Sequence, residues 1–180
     1  IAVGKNLTSI ENLIGKTITS KGKYLPIVAI PTTSGTGSEV SKGAIITDVK
    51  KNFKSGIRGD CVFPKIAIID PIFSLTLPKD VLAETGFDAF THLFESYLAK
   101  KSNKLTESFS EIGIPLVMKY LPKSLKHYKD LKTKEYVSYA ALLGGINVAN
   151  ASTCLPHRLQ QAMGSVKEVS HPHARGLACV

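Results

Sequence analysis

Asp88 and His92 stand four residues apart in the stretch Gly86–Ala99, GFDAFTHLFESYLA. On a helix, that spacing sets their side chains one above the other. A carboxylate and an imidazole held in this way are half of a metal site. They are also an ordinary helical hydrogen bond, and the pair alone does not decide between the two. Further donors stand at His157, after Leu155-Pro156, and at His171 and His173 in Ser170–Gly176, SHPHARG. Asp88, His92, His157 and one of the final two would give one carboxylate and three imidazoles. Such a set, without thiolate, suits a divalent first-row ion, Fe²⁺ or Zn²⁺, and argues against a structural cysteine-type zinc. The long gaps mean that it can assemble only when separate helices pack. Five histidines in 180 residues can also fall this way by chance, and His127, between Lys126 and Lys129, reads as a surface residue.

A second chemical candidate lies upstream. Leu25–Ile30, LPIVAI, is an apolar run rich in β-branched residues and reads as a buried strand. It leads straight into PTTSGTGSEV, Pro31–Val40. Glycines and hydroxyl residues at the end of a strand can cradle phosphate through accessible N–H groups. The stretch lacks both the Gly-Lys-Ser/Thr ending of a P-loop and GxGxxG spacing, so a plain turn is an equal reading. Lys54 follows a turn through Asp48–Asn52 and could reach back toward phosphate at that loop; otherwise it is a solvent lysine in a hairpin.

The elements that must position these residues change character near residues 75–78. Before that point come the run at 25–30, a hairpin from Ala44–Thr47 and Phe53–Arg58, and a strand at Lys65–Ile69 closed by Asp70-Pro71. A short helix is expected near Ile10–Ile14, followed by a polar loop ending at Lys21–Lys23. After it, helical periodicity predicts segments at 79–85, 86–99, 105–121, 123–128, 133–151 and 155–163. In the second of these, Phe90, Leu93, Phe94, Tyr97 and Leu98 fall at the spacing of a buried face. Gly144, Gly145, Ala149 and Ala151 point to close helix packing.

The net charge of +9 is scattered along the chain, without the interleaved aromatics of a nucleic-acid groove. Three distant cysteines without CxxC spacing indicate reduced thiols and a cytoplasmic setting rather than a disulfide framework. No apolar run is long enough to cross a membrane. The chain opens on Ile1 without a methionine and is expected to be a piece of a longer polypeptide.

PTTSGTGSEV followed by ITDVKKNFK, the Asp70-Pro71 pair and TGFDAFTHLFESYLA together resemble the iron-containing (group III) alcohol dehydrogenase family, in order and spacing. The resemblance runs over essentially the whole chain. It implies the α/β fold of the dehydroquinate synthase-like group, in which the C-terminal part of a Rossmann-like nucleotide domain (residues 1–77) is followed by an all-α metal-binding domain (residues 78–180). It also implies metal ligation by Asp88, His92, His157 and His173, with His171 as the alternative to the last. Nucleotide contacts carry over to Thr32, Thr33, Gly35, Thr36 and Lys54, and less directly to Ile45 and Phe73. The implied cofactors are Fe²⁺ or Zn²⁺ and NAD or NADP; the implied substrate is a small alcohol or aldehyde, and the implied assembly a homo-oligomer.

Two departures stand out. Gln161 occupies the place where many members carry a second histidine, one turn after the third ligand. The Gly-Gly-Gly-Ser pyrophosphate loop that the family places upstream is missing, so these 180 residues are expected to bind dinucleotide poorly by themselves. The rival readings are a zinc polyol dehydrogenase or NAD-using synthase of the same fold, a metal-dependent hydrolase, and an inactive fragment.

Overall fold

The computed structural model describes residues 10–19, 24–169 and 171–180; the N-terminal residues and the Lys21–Lys23 loop end lie outside this set. Ile10–Leu13 form a 3₁₀ turn. Strand β1 (Val28–Ala29) pairs in parallel with β4 (Ile66–Ala67), and β2 (Gly43–Asp48) pairs antiparallel with β3 (Phe53–Arg58). The hairpin turn is built as expected, because the Asp48 carboxylate accepts from the backbone N–H groups of Lys50 and Lys51 while Asn52 takes a positive φ. The apolar runs, however, are not buried strands. Leu25, Val28, Ile30, Ile66 and Ile68 are all exposed. A two-residue parallel pair cannot cover its own faces, and no described element does so for it.

The helices are α1 (Lys79–Leu98), α2 (Lys104–Lys126), α3 (Leu131–Ala151), α4 (Leu155–Met163) and α5 (His173–Leu177). Segments expected separately at 79–85 and 86–99 are one helix, and so are those at 105–121 and 123–128. The segment bounds drawn from helical periodicity are overridden by tertiary packing. A Cβ at Gly86 would stand 2.4 Å from a Leu121 methyl, and one at Gly113 would stand 2.6 Å from a Leu93 methyl. These two glycines are notches that let α1 and α2 approach. Pro115 and Pro122 each remove one backbone bond from α2, at a cost of roughly 3 kcal/mol in an isolated helix. The helix continues because it packs against both α1 and α3. Its start is firm, since Asn103 and Thr106 form a reciprocal capping box.

The core joins Ala89 and Leu93 of α1 to Val117 of α2 and to Ala140, Ala141 and Leu143 of α3. The buried face of α1 therefore differs from the expected stripe. Leu93 is buried and Phe90 is packed against the core, but Phe94, Tyr97 and Leu98 are exposed. The buried side instead carries Asp88, Thr91, His92, Glu95 and Ser96. Small and polar residues win that side because α3 and the Thr/Gly loop press against it too closely for bulky groups.

That loop is wedged between α1 and α3. A Cβ at Gly35 would lie 2.4 Å from the Thr85 carbonyl oxygen, and one at Gly37 would lie 2.3 Å from Cα of Gly145. Ser34 Oγ meets Ser138 Oγ at 2.7 Å. Gly37 also has φ +60°, a left-handed conformation disfavoured for other residues. Gly37→Ala should therefore destabilise the protein by about 3 kcal/mol, from overpacking together with left-handed strain. Urea unfolding monitored by circular dichroism checks this; an unchanged midpoint would mean that the loop does not hold this contact.

A candidate metal centre

Asp88, His92 and Glu95 occupy positions i, i+4 and i+7 of α1 and point to one side, where they are 0%, 4% and 2% exposed. His157 comes from the first turn of α4, and His173 opens α5. One potential ligand atom from each of Asp88, His92, His157 and His173 lies within 4.8 Å of the others. His171 is exposed and is not part of this cluster. The structure thus brings together two residues of α1 with one each from α4 and α5.

The orientation of the three imidazoles is consistent. His92 Nδ1–H donates to the Gly35 carbonyl at 3.2 Å, His157 Nδ1–H to Glu95 Oε1 at 2.6 Å, and His173 Nδ1–H to Gln160 Oε1 at 3.0 Å. A carbonyl or carboxylate oxygen only accepts, so each Nδ1 carries the proton and each Nε2 is turned inward. The three Nε2 atoms stand 3.4, 3.5 and 3.7 Å from Asp88 Oδ1. Ligands about 2.1 Å from a tetrahedral ion are about 3.4 Å apart, so these edges match a divalent ion's ligand shell. His92 and His157 also stack, with centroids 4.6 Å apart.

The polar accounting also fits a cation. Both Asp88 carboxylate oxygens and His157 Nε2 are buried without a hydrogen-bond partner. A buried carboxylate left this way is costly unless a positive charge faces it. Burial pushes the Asp88 carboxyl upward, but the three imidazoles outweigh it and hold the group well below the usual carboxylate range. His92 is driven down, mainly by burial, against the pull of Asp88. Burial also lowers His157, yet Asp88 and Glu95 together raise it to about 9. In the protein without metal these shifts favour an ionised Asp88 beside a positively charged His157, whose second proton is on Nε2.

The cluster forms the floor of a cleft of about 650 Å³. The Thr/Gly loop and hairpin contribute Thr36, Lys42, Ile45 and Arg58 to its walls, and the helices contribute Asn150 and Gln161. The other nucleotide candidates are spread out. Thr32 and Thr33 line a separate cavity of only about 10 Å³. Gly35 is buried beneath α1 and serves His92 through its carbonyl. Lys54 lies along Gly164 at the end of α4, its own N–H bonded to Ser165 Oγ, and burial lowers its pKa. Phe73 is exposed in the 3₁₀ turn Pro71–Ser74.

Sequence reasoning missed two residues at the centre, Glu95 and Gln160, and the role of a third, Gly35, toward His92. Glu95 carried a usable signal, being seven residues after Asp88 on the same helix face, and Gln160 lies within one turn of His157. Nothing in the sequence marked the Gly35 carbonyl, because a backbone group has no residue type.

Comparison with known proteins places the chain in a family context. Residues 82–180 match the sequence model of the Fe-containing alcohol dehydrogenase family, C-terminal, and residues 1–71 match that of iron-containing alcohol dehydrogenase. The chain is 33% identical over 147 residues to the NAD-dependent methanol dehydrogenase of Bacillus methanolicus, covering 82% of this chain and 39% of that protein. It is 35% identical over 152 residues to alcohol dehydrogenase 4 of Schizosaccharomyces pombe, covering 84% and 36%. Among solved structures, 1,3-propanediol oxidoreductase superposes with a TM-score of 0.85 at 30% identity, over 94% of this chain and 44% of that one. The alcohol dehydrogenase from Oenococcus oeni superposes with a TM-score of 0.87 at 29% identity, over 96% and 44%. The chain thus spans about two fifths of the length of these relatives.

The raised His157 gives a pH prediction. Its folded pKa of about 9 lies above the ordinary 6.5, so its protonated form contributes stability that is fully present below about pH 6.5 and lost as pH rises through about 9. An ion bound through His157 would have to displace that proton, so affinity should strengthen about tenfold from pH 7 to pH 8, with about one proton released per ion. Calorimetry with Zn²⁺ in two buffers of different ionisation enthalpy measures this; zero release would show that His157 is neutral or does not bind the ion.

Proposed function

We propose, because this chain belongs to the iron-containing alcohol dehydrogenase family, that it forms the metal-binding part of an NAD(P)-dependent alcohol dehydrogenase. The observation that carries this is the buried Asp88 carboxylate, unpaired by hydrogen bonds and ringed by three inward-turned Nε2 atoms at the floor of a cleft. Asp88, His92, His157 and His173 would hold Fe²⁺ or Zn²⁺. The substrate would be a small alcohol or aldehyde, and the whole protein a cytoplasmic homo-oligomer. We assign residues 1–77 to the nucleotide-binding part and residues 78–180 to the metal part.

A divalent ion held there supplies Lewis-acid polarisation of an alcohol or carbonyl oxygen, and a nicotinamide accepts or gives the hydride. The chain's own contribution is orientation and exclusion of water. The acceptors on the three Nδ1 atoms fix the ring planes before any ligand arrives, which limits reorganisation. Asp88 places a negative charge opposite the cation, and its burial keeps that charge unscreened. Thr36 and Ile45 line the same cleft as the three histidines, and that cleft is the place we assign to the nicotinamide. Gln161 lines this cleft with its oxygen 3.4 Å from Arg158 Nη1. An amide does not titrate near neutral pH, so Gln161 can orient a polar group but cannot relay a proton as a histidine would.

Elemental analysis of anaerobically purified protein should give near one equivalent of iron or zinc, and Asp88→Ala should lose it while circular dichroism stays helical. Full metal content in Asp88→Ala would refute the ligand assignment. With a small aldehyde and reduced nicotinamide, the metal-loaded full-length protein should show loss of the reduced ring's absorbance near 340 nm. A metal-dependent hydrolase would show no such change.

A further inference from the structure

Helix α4 begins without a cap of its own. Its N-cap residue, Cys154, makes no side-chain cap bond, and Pro156 removes an N–H from the first turn. The missing acceptor comes from another helix. Glu95 of α1 accepts from the backbone N–H groups of Cys154 and His157, the latter at 3.2 Å, and from His157 Nδ1–H at 2.6 Å. Cys154 Sγ closes the same junction on the Glu95 carbonyl at 3.2 Å. A single carboxylate, 2% exposed, thus receives the start of α4 and the ring of the ligand that α4 carries.

Resting on the metal reading above, we propose that Glu95 is the positioning residue of the centre, coupling the docking of α4 to the placement of His157. Three observations converge on it. Asp88, His92 and Glu95 share one face of α1, so two ligands and the anchor of a third ride on one rigid element. The anchored group is both main chain and side chain of the same residue, which fixes the His157 backbone and ring together. The receiving carboxylate is also buried and takes all three of these donors from the one junction at the start of α4. Removing Glu95 leaves His157 with no acceptor for Nδ1 and leaves the helix start with unsatisfied N–H groups.

The test compares Glu95→Ala and Glu95→Gln with the parent chain in three measurements: Zn²⁺ affinity by chelator competition, the visible spectrum of the Co²⁺-loaded protein, and amide exchange along α4 without metal. Glu95→Ala should bind Zn²⁺ about 10- to 100-fold more weakly, with an altered Co²⁺ spectrum and faster exchange over residues 157–163. Glu95→Gln keeps an oxygen acceptor at the same reach, so it should restore the spectrum and most of the slow exchange while remaining weaker in affinity. A purely structural role would lower the melting temperature of Glu95→Ala but leave affinity and spectrum unchanged, and that result overturns the proposal. If Glu95→Ala does not fold, Glu95→Gln decides: parental affinity for Zn²⁺ overturns the proposal, and weakened affinity with the parental spectrum supports it. A parent chain that takes up no metal would refute the metal reading, whereas unchanged α4 exchange in the variants would refute Glu95's part by itself.

Discussion

A buried carboxylate with no hydrogen-bond donor of good geometry organises this structure. Asp88 sits at zero exposure, and only the imidazoles around it favour its charged form. Three imidazoles converge on it from three helices, and each is held by a different kind of acceptor: a loop carbonyl, a helix carboxylate and a side-chain amide. An arrangement with this many fixed acceptors has one sensible occupant at its middle, which is positive charge. A proton on His157 meets that demand in the metal-free protein, and a divalent cation is the occupant we propose.

The packing of the helices follows from the same demand. The face of α1 that points at the centre carries Asp88, Thr91, His92, Glu95 and Ser96, so bulky apolar side chains are displaced toward the outside of the helix. Close approach replaces bulk. Gly144 lies against Ala89 and His92, and Gly37 lies against Gly145, so that α3 and the Thr/Gly loop clamp α1 almost backbone to backbone. The loop's glycines, whose composition invites a phosphate reading, are used at least in part for this contact. One of them also delivers the carbonyl that orients His92. Phosphate-like composition and helix-packing duty are therefore combined in one segment, which explains why its sequence departs from simple phosphate-loop spacing.

The relation between the two halves is then physical as well as sequential. The hairpin and the Thr/Gly loop form one wall of the cleft, the helices form the other, and the histidines lie at the floor. A polar floor beneath a wide cleft can hold a reactive group against a second, larger molecule, which is what a hydride-transferring enzyme needs. Shape at this level is shared with the solved alcohol dehydrogenases that superpose on the chain, at sequence identities near 30%.

Much of this was legible in the sequence. The four-residue spacing of Asp88 and His92, the nitrogen and oxygen donor set, the hairpin and the change from strands to helices all follow from local rules of spacing and composition. What local rules could not supply was the identity of the buried face of α1. Hydrophobic spacing selected Phe94, Tyr97 and Leu98, and the folded chain leaves them exposed, because the other side of the helix is pressed by α3 and the loop. The segments 79–85 and 86–99, and 105–121 and 123–128, read as separate for the same reason: periodicity is a local quantity, and the notch at Leu121 and the packing of α2 are not. Of the two late histidines, only His173, at the start of α5, joins the cluster, while His171 lies exposed before that helix. The sequence by itself determined which donor atoms the protein owns and on which elements they ride. Tertiary structure alone decided which of them converge, because convergence depends on contacts between residues as much as 85 positions apart, such as Asp88 and His173.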